Sequence, residues 1–137
     1  MLLYANGDSH TSSWSYIDII GENLGIEFVN QAIDGHSNTS IIRRTREYLK
    51  HTTPNLIIIG WSSWEREEWL IDDVYYQINA SGIDIVPKSH QQKYKEYVAN
   101  IDWQKKTKSA HTKIWNFHQL LNKNKIKHIF FNGNNTF

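Results

Sequence analysis

The stretch Leu2-Leu3-Tyr4-Ala5-Asn6-Gly7-Asp8-Ser9-His10 decides how the fold is read. Leu2 to Ala5 form a short apolar run of the length of a buried strand. Gly7, Asp8 and Ser9 are turn formers, and a helical pattern begins near Trp14. Strand, sharp turn and helix in that order open an α/β domain, and the residues that follow a strand lie at the carboxyl edge of the sheet, where ligands bind. Ser9 is expected at that edge. The plainer alternative is that Asp8 or Ser9 caps the coming helix.

Three more strand-like segments follow: Ile26–Ala32 around Phe28-Val29, Leu56–Ile59, and Lys127–Phe131 around Ile129-Phe130-Phe131. The run Leu56-Ile57-Ile58-Ile59 lies between Pro54 and Gly60 and suits a parallel strand covered on both faces. Helical periodicity fills the gaps. Ser12 or Ser13 is expected to cap a helix with Trp14, Ile17, Ile20 and Leu24 on its inner face, and Gly25 to stop it. Asn38, Thr39 or Ser40 opens a second helix, with Ile41, Ile42, Thr45 and Leu49 inward and Arg43, Arg44, Arg46 and Glu47 mostly outward.

From Trp61 to Trp103 the pattern is less regular. A helix is expected around Glu65–Tyr76, with Trp61 in the core and Trp64 over a pocket rim. A turn at Ser81-Gly82 and a helix within His90–Asn100 come next, then a last helix over Lys106–Asn122 that turns Ile114, Phe117, Leu120 and Leu121 inward. Strand and helix alternate through most of the chain. That order predicts one α/β domain over residues 1–137, three layers α/β/α around a parallel, flavodoxin-like sheet.

Composition narrows the classes. A chain of 137 residues is long enough for one core without metal or disulfide staples. It has no cysteine, so neither a disulfide framework nor thiolate chemistry can be argued. The formal net charge of +1 leaves no electrostatic footprint for nucleic acid. The first apolar run is too short for a signal segment or a membrane span, and a cytoplasmic location is the default expectation. The six Trp and seven Tyr are mostly expected to pack while keeping a polar handle.

Each of the first three strands is followed by a distinctive loop: Gly7-Asp8-Ser9-His10, the stretch from Asn30 to Asn38 that contains Gly35-His36-Ser37, and Gly60-Trp61-Ser62-Ser63-Trp64-Glu65-Arg66. In sequence order these resemble the first three blocks of the SGNH (GDSL-like) hydrolase superfamily. Gly7, Asp8 and Ser9 match its Gly-Asp-Ser in full. Gly35, with Asn30 before it, fits the second block. Of the third, Gly-x-Asn-Asp, Gly60 matches, and Ser62 and Ser63 stand where Asn and Asp are usual.

The resemblance implies a serine esterase or acyl hydrolase acting on a lipid, acetylated sugar or small acyl ester, with no cofactor and no metal. Ser9 would be the nucleophile, and the backbone N–H groups of Ser9 and Gly35 with the hydroxyl of Ser62 the oxyanion donors; Gly7, Asp8, Asn30 and Gly60 would support them. A serine hydroxyl needs a base, and an oxyanion needs donors aimed at it. His10, His36, Ser63, Trp64 and Arg66 are the further pocket candidates. Arg66 is read either as a carboxylate binder or, more simply, as an ion-pair partner of Glu65 or a nearby acid.

The family's base is a histidine in a C-terminal Asp-x-x-His, and this sequence contains none. The chain is therefore expected to lack that block and, alone, to be inactive or nearly so on simple esters. The rival expectation is a non-catalytic module on the same fold that binds a glycan or a protein.

Overall fold

A computed structural model describes residues 1–12, 15–80 and 82–133. Four parallel strands form the sheet: β1 (Leu2–Asn6), β2 (Glu27–Asn30), β3 (Leu56–Trp61) and β6 (His128–Asn132), in the order β2-β1-β3-β6. Leu3 pairs with Phe28 on one side and Leu56 on the other, and Ile58 pairs with Ile129. Side chains alternate across these strands. Leu3, Ala5 and Ile58 pack on one face with Ile17 of α1 (Tyr16–Leu24). Tyr4, Ile57, Ile59 and Trp61 pack on the other, against Ile41 of α2 (Asn38–Leu49) and Phe117 and Leu121 of α4 (Trp103–Lys123). The architecture is three-layered α/β/α, as the alternation predicts. Trp61 is in the core, edge-on to Phe117 and Phe130.

Two helix starts differ from expectation by a few residues. Ser15, not Ser12 or Ser13, caps α1: its hydroxyl accepts from the Ile17 N–H, and Asp18 reaches back to the Ser15 N–H at 2.8 Å. That reciprocal box was written in Ser15-x-x-Asp18. Ser12 instead donates to the Ser9 carbonyl, and Ser13 and Trp14 lie outside the described residues. Leu24 is exposed rather than inward, while Gly25 ends the helix at φ +57°. For α2 the cap is Ser37, whose hydroxyl accepts the Ser40 N–H. Arg43 and Arg44 are half-buried rather than outward, because each finds an acceptor: the Glu68 carboxylate and the Gln31 carbonyl.

The largest correction concerns Glu65–Tyr76. It is not a helix but a β-hairpin, β4 (Glu67–Ile71) against β5 (Val74–Ile78). The turn residues Asp72 and Asp73 have φ of +48° and +62°, the left-handed pair that a tight two-residue hairpin requires. Trp69 stands opposite Tyr76, and the same face packs with Val86 and with Tyr94 of α3 (Gln91–Ala99) in a second small core. The helical geometry expected to set Trp64 over a pocket rim therefore does not apply. Ser81 lies outside the described residues.

Candidate active site

All four sheet strands run parallel, so the segments that follow Asn6, Asn30, Trp61 and Asn132 leave the same edge. The strand order reverses between β1 and β3, the position where α/β sheets open a crevice. The loops are laced there by specific bonds. Asn30 donates to the Thr11 carbonyl at 2.6 Å and accepts the Ala32 N–H, and the Ile33 N–H reaches the Gly7 carbonyl at 3.2 Å. Beyond β6, the Gly133 N–H bonds the Trp61 carbonyl.

Glycine is required where the first and third loops touch. A Cβ on Gly7 would stand 2.5 Å from Thr11 Oγ1 and 2.8 Å from the Gly60 carbonyl oxygen. A Cβ on Gly60 would meet the same Thr11 oxygen at 2.5 Å. Beneath them Asn6 is fully buried; its amide donates to Thr45 Oγ1 at 3.0 Å, and its carbonyl accepts the Gly7 N–H at 2.8 Å. Gly35 differs. Its φ is +76° and, among the described residues other than its chain neighbours, no atom lies within 4 Å of a Cβ placed there, so backbone freedom and open space coincide.

Asp8 is fully buried. Its Oδ2 lies 3.4 Å from Arg66 Nη1, and its Oδ1 accepts the His10 N–H at 3.2 Å and lies 3.4 Å from His10 Nδ1. Arg66 Nη1 also donates to Ser62 Oγ at 2.7 Å. Arg66 is thus an ion-pair partner, but of Asp8 rather than Glu65, 58 residues away in sequence. Ser62 has no solvent exposure, and its backbone is held by Asn38, whose amide donates to the Ser62 carbonyl at 2.9 Å and accepts the Ser62 N–H at 2.8 Å. A hydroxyl so placed supports Arg66 and does not face an open pocket. Ser63 is half-buried, and its carbonyl accepts the Arg66 N–H.

Ser9 is exposed, and among the described residues its hydroxyl has no hydrogen-bond partner. No imidazole is bonded to it. His36 turns to Ser40 instead, Nδ1 to Oγ at 2.7 Å, and burial followed by the Arg44 charge holds its pKa below the usual value. Trp64 packs half-buried, edge-on to His111. Beside the Ser9 turn a depression of about 500 Å³ is lined by Ser12, Asp18, Asn30, Ala32, Ile33 and Asp34. Among the described residues no group of His, Asp and Glu is arranged to hold a metal ion, and no helix is long and apolar enough to cross a membrane.

Sequence reasoning missed Asn6, Thr11, Asn38 and the pair Glu68–Gln77. Burial would raise the Glu68 carboxyl, but bonds from Arg43 Nε and Nη2 at 2.8 Å and from Gln77 at 2.8 Å outweigh it and hold its pKa below the usual value. The Gln77 carbonyl in turn accepts the Ser37 N–H, so the hairpin braces the start of α2.

No protein-family model and no curated protein matches the sequence. Among solved structures, a GDSL-like lipase from Bacteroides thetaiotaomicron VPI-5482 is similar at 17% identity with a TM-score of 0.40, over 94% of this chain and 67% of that one. A likeness of that size carries no argument about the site.

Proposed function

We propose that this chain carries a serine ester-hydrolase site of the SGNH (GDSL-like) kind, with Ser9 as nucleophile. The observation that supports it is the setting of Ser9: an exposed hydroxyl, without a hydrogen-bond partner among the described residues, on the glycine-led turn after β1 and next to the buried Asp8. In this reading Ser9 Oγ bonds the ester carbonyl carbon, and the oxyanion is held by the N–H groups of Ser9 and Gly35. The C–O bond to the alcohol then breaks, the alcohol leaves with the serine proton, and water releases the acid from the acyl-enzyme. No cofactor enters this route.

The proton acceptor is assigned to His10, the imidazole next to Ser9, whose Nδ1 faces Asp8 at 3.4 Å and leaves Nε2 for the proton. Catalytic bonds are commonly longer before substrate binds. Because no bond joins His10 to Ser9 at rest, turnover by this chain is slow. The acyl substrate class is a lipid, acetylated sugar or small ester.

One observation favours a second reading. His36 is turned to Ser40 and Ser62 is closed under Arg66, as expected of a non-catalytic module that binds a glycan or protein through this edge. Hydrolysis of a p-nitrophenyl ester by the chain, by Ser9→Ala and by His10→Ala separates the two. The esterase reading expects slow turnover that both substitutions abolish. Equal rates in all three proteins favour the binding module.

A further inference from the structure

Next to Arg66 a narrow cleft of about 40 Å³ lies between the start of α2 and α4. Its lining includes Thr39, Trp64, Arg66, Lys106 and Lys113, and one carboxylate, Glu67. Positive charge is in excess. Arg66 meets Asp8 and Lys106 meets Glu67, but among the described residues Lys113 meets no carboxylate; its ammonium donates to the neutral Thr39 hydroxyl at 3.0 Å. Burial, and then the Lys113 charge, push Lys106 down to about 8, although its ammonium meets the Glu67 carboxylate. Two ammonium groups from one helix, seven residues apart, therefore repel one another across the same cleft. An oxyanion between them would relieve that repulsion. The first-turn N–H groups of α2, which have no carbonyl one turn back, add to the positive potential at this end.

We infer that this cleft binds the oxyanion group of a charged ligand, a phosphate or a carboxylate, with Lys113 and Lys106 as its cations and Trp64 as its apolar wall. Arg66 belongs to both neighbourhoods: it lines the cleft and bonds Asp8, the residue before Ser9. The inference rests on the ester-hydrolase reading for its consequence, that the preferred ester is one bearing a negative charge away from the carbonyl. The cleft itself does not require that reading.

The test has a binding arm and a kinetic arm. Inorganic phosphate and acetate are titrated separately into the full chain at constant low ionic strength, with backbone amide shifts recorded, for the chain and for Lys113→Gln. Lys113 is exposed and among the described residues bonds only Thr39, so the variant is expected to keep its fold. The inference expects saturable shifts at Asn38, Thr39 and Lys106 with one or both anions, weakened about tenfold in Lys113→Gln, the scale of one lost charge-assisted bond. Shifts that are absent, scattered over the surface or unchanged in the variant overturn it. In the kinetic arm, Lys113→Gln raises KM about tenfold for a half-ester of a dicarboxylic acid and leaves a neutral ester unaffected. An equal effect on both esters overturns the specificity claim. Saturable, Lys113-dependent phosphate binding without hydrolysis of any ester retains the cleft and sinks the ester-hydrolase reading alone.

Discussion

Asn38 grips Ser62 twice: its side-chain amide donates to the Ser62 carbonyl at 2.9 Å, and its side-chain carbonyl accepts the Ser62 N–H at 2.8 Å. Both residues are buried, so neither bond can be replaced by bulk water. This pair joins the first turn of α2 to the segment beyond β3 and sets where Ser62, and through it Arg66, can lie. Asn38→Ala removes both of these bonds to buried backbone groups. An expected loss of about 2–4 kcal/mol follows from the cost of unpaired buried polar groups, measured by urea unfolding. Asn38→Asp keeps one acceptor but turns a carboxylate oxygen toward the buried Ser62 carbonyl, and is expected to lose at least as much.

Gly7 and Gly35 separate two reasons for glycine. Gly7→Ala drives a methyl into Thr11 Oγ1 and the Gly60 carbonyl, 2.5 and 2.8 Å away, and the second contact is backbone. The cost is expected at about 3 kcal/mol, the upper part of the overpacking range. Gly35→Ala meets nothing, and only its φ of +76° resists; about 1–2 kcal/mol is expected. Thermal midpoints of the two variants rank them, Gly7→Ala the lower.

Glu68 gives a pH signature. Its folded pKa lies below the unfolded value of 4.5 because the bonds from Arg43 and Gln77 outweigh burial. Its contribution is therefore fully present above 4.5 and is lost as pH falls through the folded pKa. The stability difference between the chain and Glu68→Gln is expected to hold steady above pH 5 and to shrink below about pH 4. Denaturant midpoints at several pH values check this; a difference that grows on acidification contradicts it.

Trp61 is buried with an indole N–H that has no partner among the described residues. Trp61→Phe removes that unsatisfied donor along with part of the packing against Phe117 and Phe130, so the two effects oppose. The net loss is expected at about 1 kcal/mol or less, against about 3–5 kcal/mol for Trp61→Ala.

The sheet was legible because its strands are short apolar runs, each followed by a loop rich in turn formers, and Gly7, Gly35 and Gly60 announced where backbone must turn or meet. The hairpin was not. Glu65-Arg66-Glu67-Glu68 reads as good helix-forming sequence, and what overrides it is the Asp72-Asp73 turn together with cross-strand packing of Trp69 on Tyr76. Alternation in Val74-Tyr75-Tyr76-Gln77-Ile78 was the available signal. The bonds that build the site are harder still: Asp8 to Arg66 and Asn38 to Ser62 span 58 and 24 residues, and no local spacing encodes them. His36 had the right loop, yet the Ser40 hydroxyl four residues on claims its ring.

The proposed ester hydrolysis requires the Ser9 oxygen to act as a nucleophile. A fluorophosphonate tests it directly: attack by Ser9 Oγ forms an O–P bond, fluoride leaves, and the serine proton passes to the base. Peptide mass spectrometry after hours of incubation is predicted to find one adduct, on the peptide containing Ser9, reduced in His10→Ala and absent from Ser9→Ala. The Ser9→Ala protein should be as stable as the parent to within about 0.5 kcal/mol, since the side chain is exposed. An unlabelled Ser9, or an adduct that persists in Ser9→Ala, contradicts the account.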